Sequence, residues 1–367
     1  MVYRVIGLMS GSSLDGLDIA YVHLHETAGK WSYDIVRADC YGYTDEWSAK
    51  LSQATQLSAR DYLLLHTAYG AHVGELVNRF IADNQLQYQV QLIASHGHTS
   101  FHIPAQKMTG QLGDGAAIAA ATGINTVTDL RAMDIALGGQ GAPIVPIGEK
   151  ILLGDYDFFL NLGGIANISL NHPEQYIAFD VCPANRVLNL LAGEVGKAYD
   201  EGGNMAAGGE IDLDLFHQLN ALEYYRQPYP KSLANDFGTD VVYPVIQSGH
   251  NTTENSLRTY VEHICVQIRD SVESLQPRLT GETSTYKLLA TGGGALNNFM
   301  IGRLQELLDP LNVSVIIPDE KLVQYKEALI MALIGVLRWR EENNVLASVT
   351  GASRSSIGGA VWIGQEA

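Results

Sequence analysis

The chain is short of positive charge, of cysteine and of long apolar runs. Its 367 residues carry 23 Lys and Arg against 40 Asp and Glu, a formal net charge of −17. A protein that tracks a phosphate backbone needs a cationic footprint, so nucleic acid is excluded as the main partner. The same shortage removes a basic anchor for anionic lipid. The longest strongly apolar run, residues 328–337, is far below the ~20 residues that span a bilayer, so no membrane partner is expected. Residues 2–9 read as a strand and not as the basic and apolar parts of a signal peptide, which points to the cytoplasm. Three scattered cysteines, Cys40, Cys182 and Cys265, form neither a disulfide framework nor a zinc spacing. No Pro/Ser-rich tract or charge run marks a linker, so any domain boundary runs through compact structure.

What the chain does have is glycine, 37 residues of it, much of it clustered. The length suits two lobes, since domains cluster around ~100–200 residues. Strand patterns (residues 2–9, 17–25, 89–95, 158–162, 168–170, 176–179, 287–290 and 313–317) alternate with helical ones (59–84, 115–122, 186–195, 256–274, 297–308 and 325–342). That alternation implies an α/β protein. One arrangement occurs twice: a strand, a Gly-containing turn and a second strand, around residues 5–18 and again around 158–169. Two such hairpins suggest a duplicated fold with two lobes.

The first turn runs through Gly11, Ser12, Ser13, Leu14, Asp15 and Gly16, with Leu17 and Asp18 opening the next strand. It is no Walker A loop, having no Gly-Lys-Ser/Thr, and no dinucleotide fingerprint, because a strand follows it. It can present N–H groups and hydroxyls to phosphate oxygens, with Asp15 and Asp18 near a bridging Mg²⁺. The competing reading is a hairpin that needs glycine for positive φ. Gly292, Gly293 and Gly294 lie between a strand and the helix opened by Asn297, where a ligand can lie flat on the backbone. Asp180 ends a short apolar strand; a carboxylate there can take a proton, or can simply cap the next helix.

Other features are open in the same way. His96, His98 and His102 suit either a metal or hydrogen bonding. Cys182 is a nucleophile only with a histidine partner, and none is assigned. The loop from Gly138 to Pro143 reads as a flexible lid or as a close backbone approach to ligand. Tyr224, Tyr225 and Tyr229 read as packing.

Together these segments resemble the anhydro-N-acetylmuramic acid kinase family, within the superfamily of sugar kinases, actin and ATP-dependent chaperones. The resemblance rests on residues 7–18, His96-Gly-His-Thr99, Gly113-Asp114, Asp129-Leu-Arg131 and residues 134–143. It continues through residues 161–167, Phe179-Asp180, Pro230-Lys-Ser232, Gly292–Gly294, Glu327-Ala328 and residues 348–353. It implies a two-lobed actin-like ATPase fold, with duplicated ribonuclease H-like lobes and a central cleft. Residues 1–129 plus about 346–367 would form one lobe and residues 130–345 the other. It implies an ATP-dependent sugar kinase of peptidoglycan recycling that hydrolytically opens 1,6-anhydro-N-acetylmuramic acid and phosphorylates O6. Mg²⁺ comes with ATP, held near Asp15, and a cytoplasmic homodimer is implied.

By position, Asp180 matches the catalytic base that activates water. Gly11 to Asp18 match the ATP-phosphate loop; Gly163, Gly164, Gly292, Gly293, Gly294 and Asn297 fall with ATP. His98, Asp114, Arg131, Asn185 and Glu327 fall with the sugar. Three departures stand out. Asp180-Val-Cys-Pro-Ala-Asn185 replaces Asp-Thr-Gly-Pro-Gly-Asn, Leu233-Ala-Asn-Asp236 replaces Thr-Gly-Arg-Glu, and His98 replaces a glutamine. Ser12 replaces a threonine and keeps its hydroxyl. The alternatives are a kinase for another amino sugar and a nucleotide-binding regulator with little turnover.

Overall fold

The computed structural model describes residues 1–11, 14–172, 176–229, 231–234, 236–279 and 285–364. The turn positions Ser12 and Ser13 and the motif residue Pro230 lie outside the described residues. The chain divides into two compact units, residues 1–153 with 325–367, and residues 154–324.

In the first unit, β1 (Val2–Ser10), β2 (Gly16–Thr27) and β3 (Lys30–Gly42) form an antiparallel meander. The 25-residue helix α1 (Ala59–Asp83) then crosses to β4 (Leu92–Ile103), which runs parallel to β1. A parallel neighbour demands such a crossover. Ser58 caps α1 by accepting the Asp61 N–H, and Leu65, Tyr69, Val73, Val77 and Phe80 give it one buried stripe. β5 (Met108–Leu112) folds back on β4, α2 (Gly115–Thr122) follows, and β6 (Thr126–Thr128) joins β4 in parallel.

The second unit repeats this plan. β7 (Phe158–Leu162), β8 (Ile165–Leu170) and β9 (Ile177–Pro183) form an antiparallel meander. After α3 (Asn185–Gly193) and α4 (Thr253–Leu275), β10 (Tyr286–Thr291) runs parallel to β7. α5 (Asn298–Leu308) leads to β11 (Val313–Ile316), parallel to β10. The sheet orders, β3-β2-β1-β4-β6 and β9-β8-β7-β10-β11, are the same sequence of moves. The duplication read from two hairpins is therefore a duplicated ribonuclease H-like sheet, each with its own core.

α6 (Glu320–Trp339) breaks helical geometry at Tyr325, the residue where the chain re-enters the first unit, and β12 (Ala360–Trp362) then pairs β6. The unit boundaries thus fall at 153/154 and 324/325 instead of the expected 129/130 and 345/346. Residues 130–153 stay with the first unit because Leu130, Ile135, Ile144 and Ile147 are buried and Gln140 N–H donates to the Thr350 carbonyl. β3 is a further strand, an edge strand paired with β2 in which Trp31, Tyr33 and Ile35 alternate with polar residues before a register shift changes the phase.

α6 seats directly on β1. A Cβ on Gly7 would lie 1.8 Å from the Ala328 carbonyl oxygen, so only glycine admits the helix backbone there. Beside that contact, Lys326 Nζ lies 3.0 Å from Glu149 Oε1, with both side chains buried. No helix among the described residues is long and apolar enough to cross a membrane.

Gly7→Ala is expected to destabilise by about 1–3 kcal/mol or more, the range for overpacking, read as a fall in urea midpoint. Gly302→Ala, inside α5 with nothing within 4 Å, is expected to gain about 0.5–1 kcal/mol in the same assay. Lys326→Met removes the buried cation beside Glu149 and is expected to lose about 3–5 kcal/mol, with much of that loss recovered when Glu149 is also replaced by leucine.

Candidate functional site

In the first unit the β1–β2 hairpin ends in the pair Ser10↔Leu17, and Leu14 takes φ +61 in the turn between them. At the end of β1 lies a hydroxyl cluster that the sequence did not signal, with Ser10 and Tyr69 buried and Tyr43 half-buried. Tyr43 Oη donates to Ser10 Oγ at 2.8 Å and meets Tyr69 Oη at 2.5 Å; Ser10 Oγ and His98 Nδ1 share a 3.0 Å bond. Burial lowers the His98 pKa, so its ring is neutral. Asp18 stands opposite Cys40 on β3; burial raises its pKa, the Cys40 hydrogen bond lowers it, and the charges of Glu327 and Asp15 raise it. Glu327, half-buried on α6, is pushed up by burial and pulled down by Lys326 and Arg131. Asp15, Asp18, Arg131 and Glu327 are therefore electrostatically linked.

Arg131 is the hub of the next layer. Its Nε donates to His96 Nε2 at 2.8 Å, and Nη1 donates to the Gly141 carbonyl. His96 Nδ1 is bonded to the Gly97 carbonyl, and burial followed by the Arg131 charge pushes its pKa down to about 3. Both its nitrogens are committed, which answers the metal reading of the three histidines; His102 instead bonds Thr109. Among the described residues no group of three or more His, Cys, Asp or Glu is arranged to hold a metal. Burial pushes Arg131 down to about 10 against the opposing charges of Glu327 and Asp134.

The loop 138–143 is no flexible lid. Buried Asp134 accepts the Gly141 N–H at 2.8 Å and the Thr350 hydroxyl at 2.7 Å, and a Cβ on Gly139 would meet its Oδ2, so what the loop approaches closely is Asp134. Asp114 caps α2 by accepting the Ala116 N–H at 2.9 Å, with Thr67 on its other oxygen at 3.4 Å. One of its carboxylate oxygens is thus structural.

In the second unit Asp180 lies on the edge strand β9, opposite Asn167 on β8. It does not cap α3, whose N-cap is Ala184. Its Oδ2 accepts the Leu233 N–H at 2.9 Å, its own N–H donates to the Lys231 carbonyl, and its carbonyl accepts the Tyr224 hydroxyl at 2.6 Å. Burial raises the Asp180 pKa and the Leu233 N–H opposes this. Tyr224 thus has a specific partner beyond packing, while Tyr229 stacks on Phe179 at 5.3 Å. Cys182 is wholly buried in the core and burial pushes its thiol far up, so it is no nucleophile.

Gly163 and Gly164 face the start of α3: their carbonyls accept the N–H groups of Asn185 at 3.0 Å and Ala184 at 2.8 Å, and Gly164 also that of Arg186. Asn185 Nδ2 donates to the Leu162 carbonyl at 2.9 Å. The three-glycine run also packs here. A Cβ on Gly292 or Gly294 would come within 2.6 Å of Asn161 Oδ1 or 2.7 Å of Leu162 Cβ, so these two glycines have a packing cause. Gly293 alone has ordinary clearance. A short 3₁₀ turn, Gly293–Leu296, separates the cluster from α5, and Asn297 caps that helix by accepting the Met300 N–H.

The model of the family described as anhydro-N-acetylmuramic acid kinase matches residues 3–364. An anhydro-N-acetylmuramic acid kinase of Gloeobacter violaceus is 33% identical over 370 residues, covering 95% of this chain and 96% of the relative. One from Aliivibrio fischeri is 34% identical, covering 98% and 99%. Among solved structures, the activator of 2-hydroxyisocaproyl-CoA dehydratase from Clostridium difficile with bound ADPNP aligns at TM-score 0.45 and 12% identity, over 93% of this chain and 96% of that one. With a family match over almost its whole length and relatives above 30% identity, the chain belongs to the anhydro-N-acetylmuramic acid kinase family.

Proposed function

We propose that the protein is an ATP-dependent kinase that opens 1,6-anhydro-N-acetylmuramic acid with water and phosphorylates O6, giving N-acetylmuramic acid 6-phosphate for peptidoglycan recycling. Family membership carries the substrate and reaction class. The observation that carries the chemistry is Asp180, a half-buried carboxylate fixed by the Leu233 N–H, with its pKa raised by burial. A raised pKa makes a stronger base at neutral pH.

Asp180 takes a proton from water as the water oxygen bonds to C1. The C1–O6 bond breaks, O6 bonds to the γ-phosphorus, and ADP leaves. Such transfer is mostly positioning and electrostatic stabilisation. Around the sugar, Arg131, Glu327, His98, Asp114 and Asn185 are the assigned contacts, Arg131 being pre-set by His96 and the Gly141 carbonyl. The N–H groups of Ala184, Asn185 and Arg186 already donate to Gly163 and Gly164. Phosphate donors are assigned to the turn from Gly11 to Asp18, with Gly163 and Gly164 also placed with ATP, and adenosine to the Gly292 cluster and Asn297.

Mg²⁺ is assigned near Asp15 and Asp18, hard oxygen donors; burial first, and then the charges of Glu327 and Asp15, raise the Asp18 pKa, and the ion would neutralise charge there and on the transferred phosphoryl group. A cytoplasmic homodimer completes the reading, on family grounds alone.

The first test is ADP release with Mg-ATP, with and without the anhydro sugar, and product mass. A product carrying phosphate plus water is expected. Phosphate without water points to a kinase for another amino sugar; ATP binding without sugar-dependent turnover points to another substrate or to a regulator. Asp180→Asn is expected to keep ATP binding and lose ring opening and phosphorylation together, by about 10²–10⁴-fold in kcat. Because Asp180 must be ionised and its pKa lies above the free value of 3.8, wild-type kcat should fall as pH drops through that raised pKa, and pH–rate profiles should show this acid limb missing from the residual activity of the variant. Arg131→Ala should chiefly raise the sugar KM; an unchanged KM removes it from the pocket.

A further inference from the structure

Asp180 lies on β9, the edge strand of its sheet, and an edge strand leaves main-chain groups without a strand partner. Three residues that follow in the chain take them instead. The Asp180 N–H donates to the Lys231 carbonyl at 3.3 Å, its carbonyl accepts the Tyr224 hydroxyl at 2.6 Å, and its Oδ2 accepts the Leu233 N–H at 2.9 Å. Lys231 and Leu233 contribute main-chain groups, which nearly any residue supplies. Tyr224 contributes a side chain, so it is the one member of the set that a substitution removes. The direction of its bond is fixed, because a carbonyl only accepts. Burial, and then the Asp180 charge, raise the Tyr224 pKa, so the phenol keeps its proton. Tyr224 is itself held: it is 7% exposed, packs on Phe237 at 5.6 Å, and carries Lys231 Nζ 4.6 Å from its ring centre and 3.4 Å from its carbonyl. Asp180 Oδ1, by contrast, makes no hydrogen bond among the described residues.

We propose that Tyr224 is a positioning residue for the base: its hydroxyl holds the Asp180 main chain at the sheet edge, so that Leu233 keeps Oδ2 and Oδ1 is the oxygen that takes the proton from water. This rests on Asp180 as the base in the proposed function. The Tyr224 hydroxyl is committed to the Asp180 carbonyl, so it acts through Asp180 and not on the substrate. A reacting group displaced by about 1 Å can lose on the order of 10²-fold in rate, and a carboxylate on an edge strand moves with its main chain. The Leu233 N–H is also the group that opposes burial in setting the acidity of Asp180. Placement and acidity therefore change together, and the acidity reports whether the hold is intact.

Tyr224→Phe removes the hydroxyl and keeps the ring and its burial. It is expected to lower kcat by about ten- to a hundredfold, with sugar and ATP KM unchanged. With the main chain released, the Leu233 N–H holds Oδ2 less well. That bond lowers the Asp180 pKa, so the pKa should rise, and the acid limb of the kcat profile should move to higher pH. The same rise should appear without sugar in a ¹³C carboxyl titration of the full-length protein, with Asp180 assigned by the signal lost in Asp180→Asn. A ring that merely packs would leave both readouts unmoved. In an Asp180→Asn background there is no base to position, so Tyr224→Phe should add nothing to the loss in kcat. If Tyr224→Phe does not fold, Lys231→Met, which takes the ammonium from the Tyr224 ring and carbonyl, should raise the Asp180 pKa in the same titration; the Lys231 charge is not among the influences on Asp180, so that rise also reports the hold. An unshifted Asp180 pKa in the variant that folds, an unchanged kcat in Tyr224→Phe, or an undiminished Tyr224 effect in the Asp180→Asn background would each overturn the proposal. The expected titration without turnover of the anhydro sugar by the wild type would count against the functional reading and leave the hold on Asp180 standing.

Discussion

The contact on which the first unit depends is the one between Gly7 and the Ala328 carbonyl. With no Cβ at Gly7, the backbone of α6 rests on the backbone of β1, and no side chain spaces them apart. Helix and strand approaches set by side chains tolerate small shifts; one set by a carbonyl against a Cα does not. The residues on either side of Ala332 and Ala328 inherit that precision. Glu327 is the immediate neighbour of the seat, and Lys326 turns to Glu149 in a buried pair next to it. At the far end of β1, Ser10 closes the strand over His98. The missing methyl group therefore registers the α6 carboxylate and the β1 hydroxyl in one frame.

Burial is the common cause of nearly every electrostatic feature near these residues. It raises Asp18, Glu327 and Asp180, lowers His96 and His98, and brings Arg131 down to about 10. Partner charges act second in Glu327, His96 and Arg131, and hydrogen bonds act second in Asp18 and Asp180. This bears on how a chain of net charge −17 handles anionic substrates. Exposed charges beyond roughly 8 Å are screened at physiological salt, so the global excess matters less than the groups within reach. Within reach, burial raises the pKa of the acidic groups, and Arg131 remains a cation.

Motifs and hairpins were legible in the sequence because both are local. The turn 11–16, the glycine-rich loop 138–143, the Gly292 cluster and Asp180 stand out by local pattern, and the resemblance to the family added Asp134 and the expected roles. What local pattern hides is which partner a residue meets from a distant segment. Gly292 and Gly294 read as ligand cradles, yet the backbone and side chains of β7 explain both. The loop 138–143 reads as mobile until Thr350 and Asp134 are brought beside it. Asp114 and Asn297 are helix caps as well as family positions. Tyr43 and Tyr69 carry no motif, being separated by 26 residues on different elements.

The departures of this chain from the family pattern fall where the backbone, and not the side chain, makes the contact. Leu233 stands in an altered segment, but what it offers Asp180 is its N–H, which any residue except proline supplies. Ala184 stands where a glycine is usual, and its N–H still reaches the Gly164 carbonyl. Cys182 replaces another glycine and fills space in a core that surrounds it completely. A frame carried by main-chain hydrogen bonds can thus absorb side-chain change close to the proposed base without moving it. His98 differs from the others, since there the side chain itself makes the hydrogen bond, Nδ1 to Ser10 Oγ at 3.0 Å, and a change of residue changes that bond and not a main-chain one.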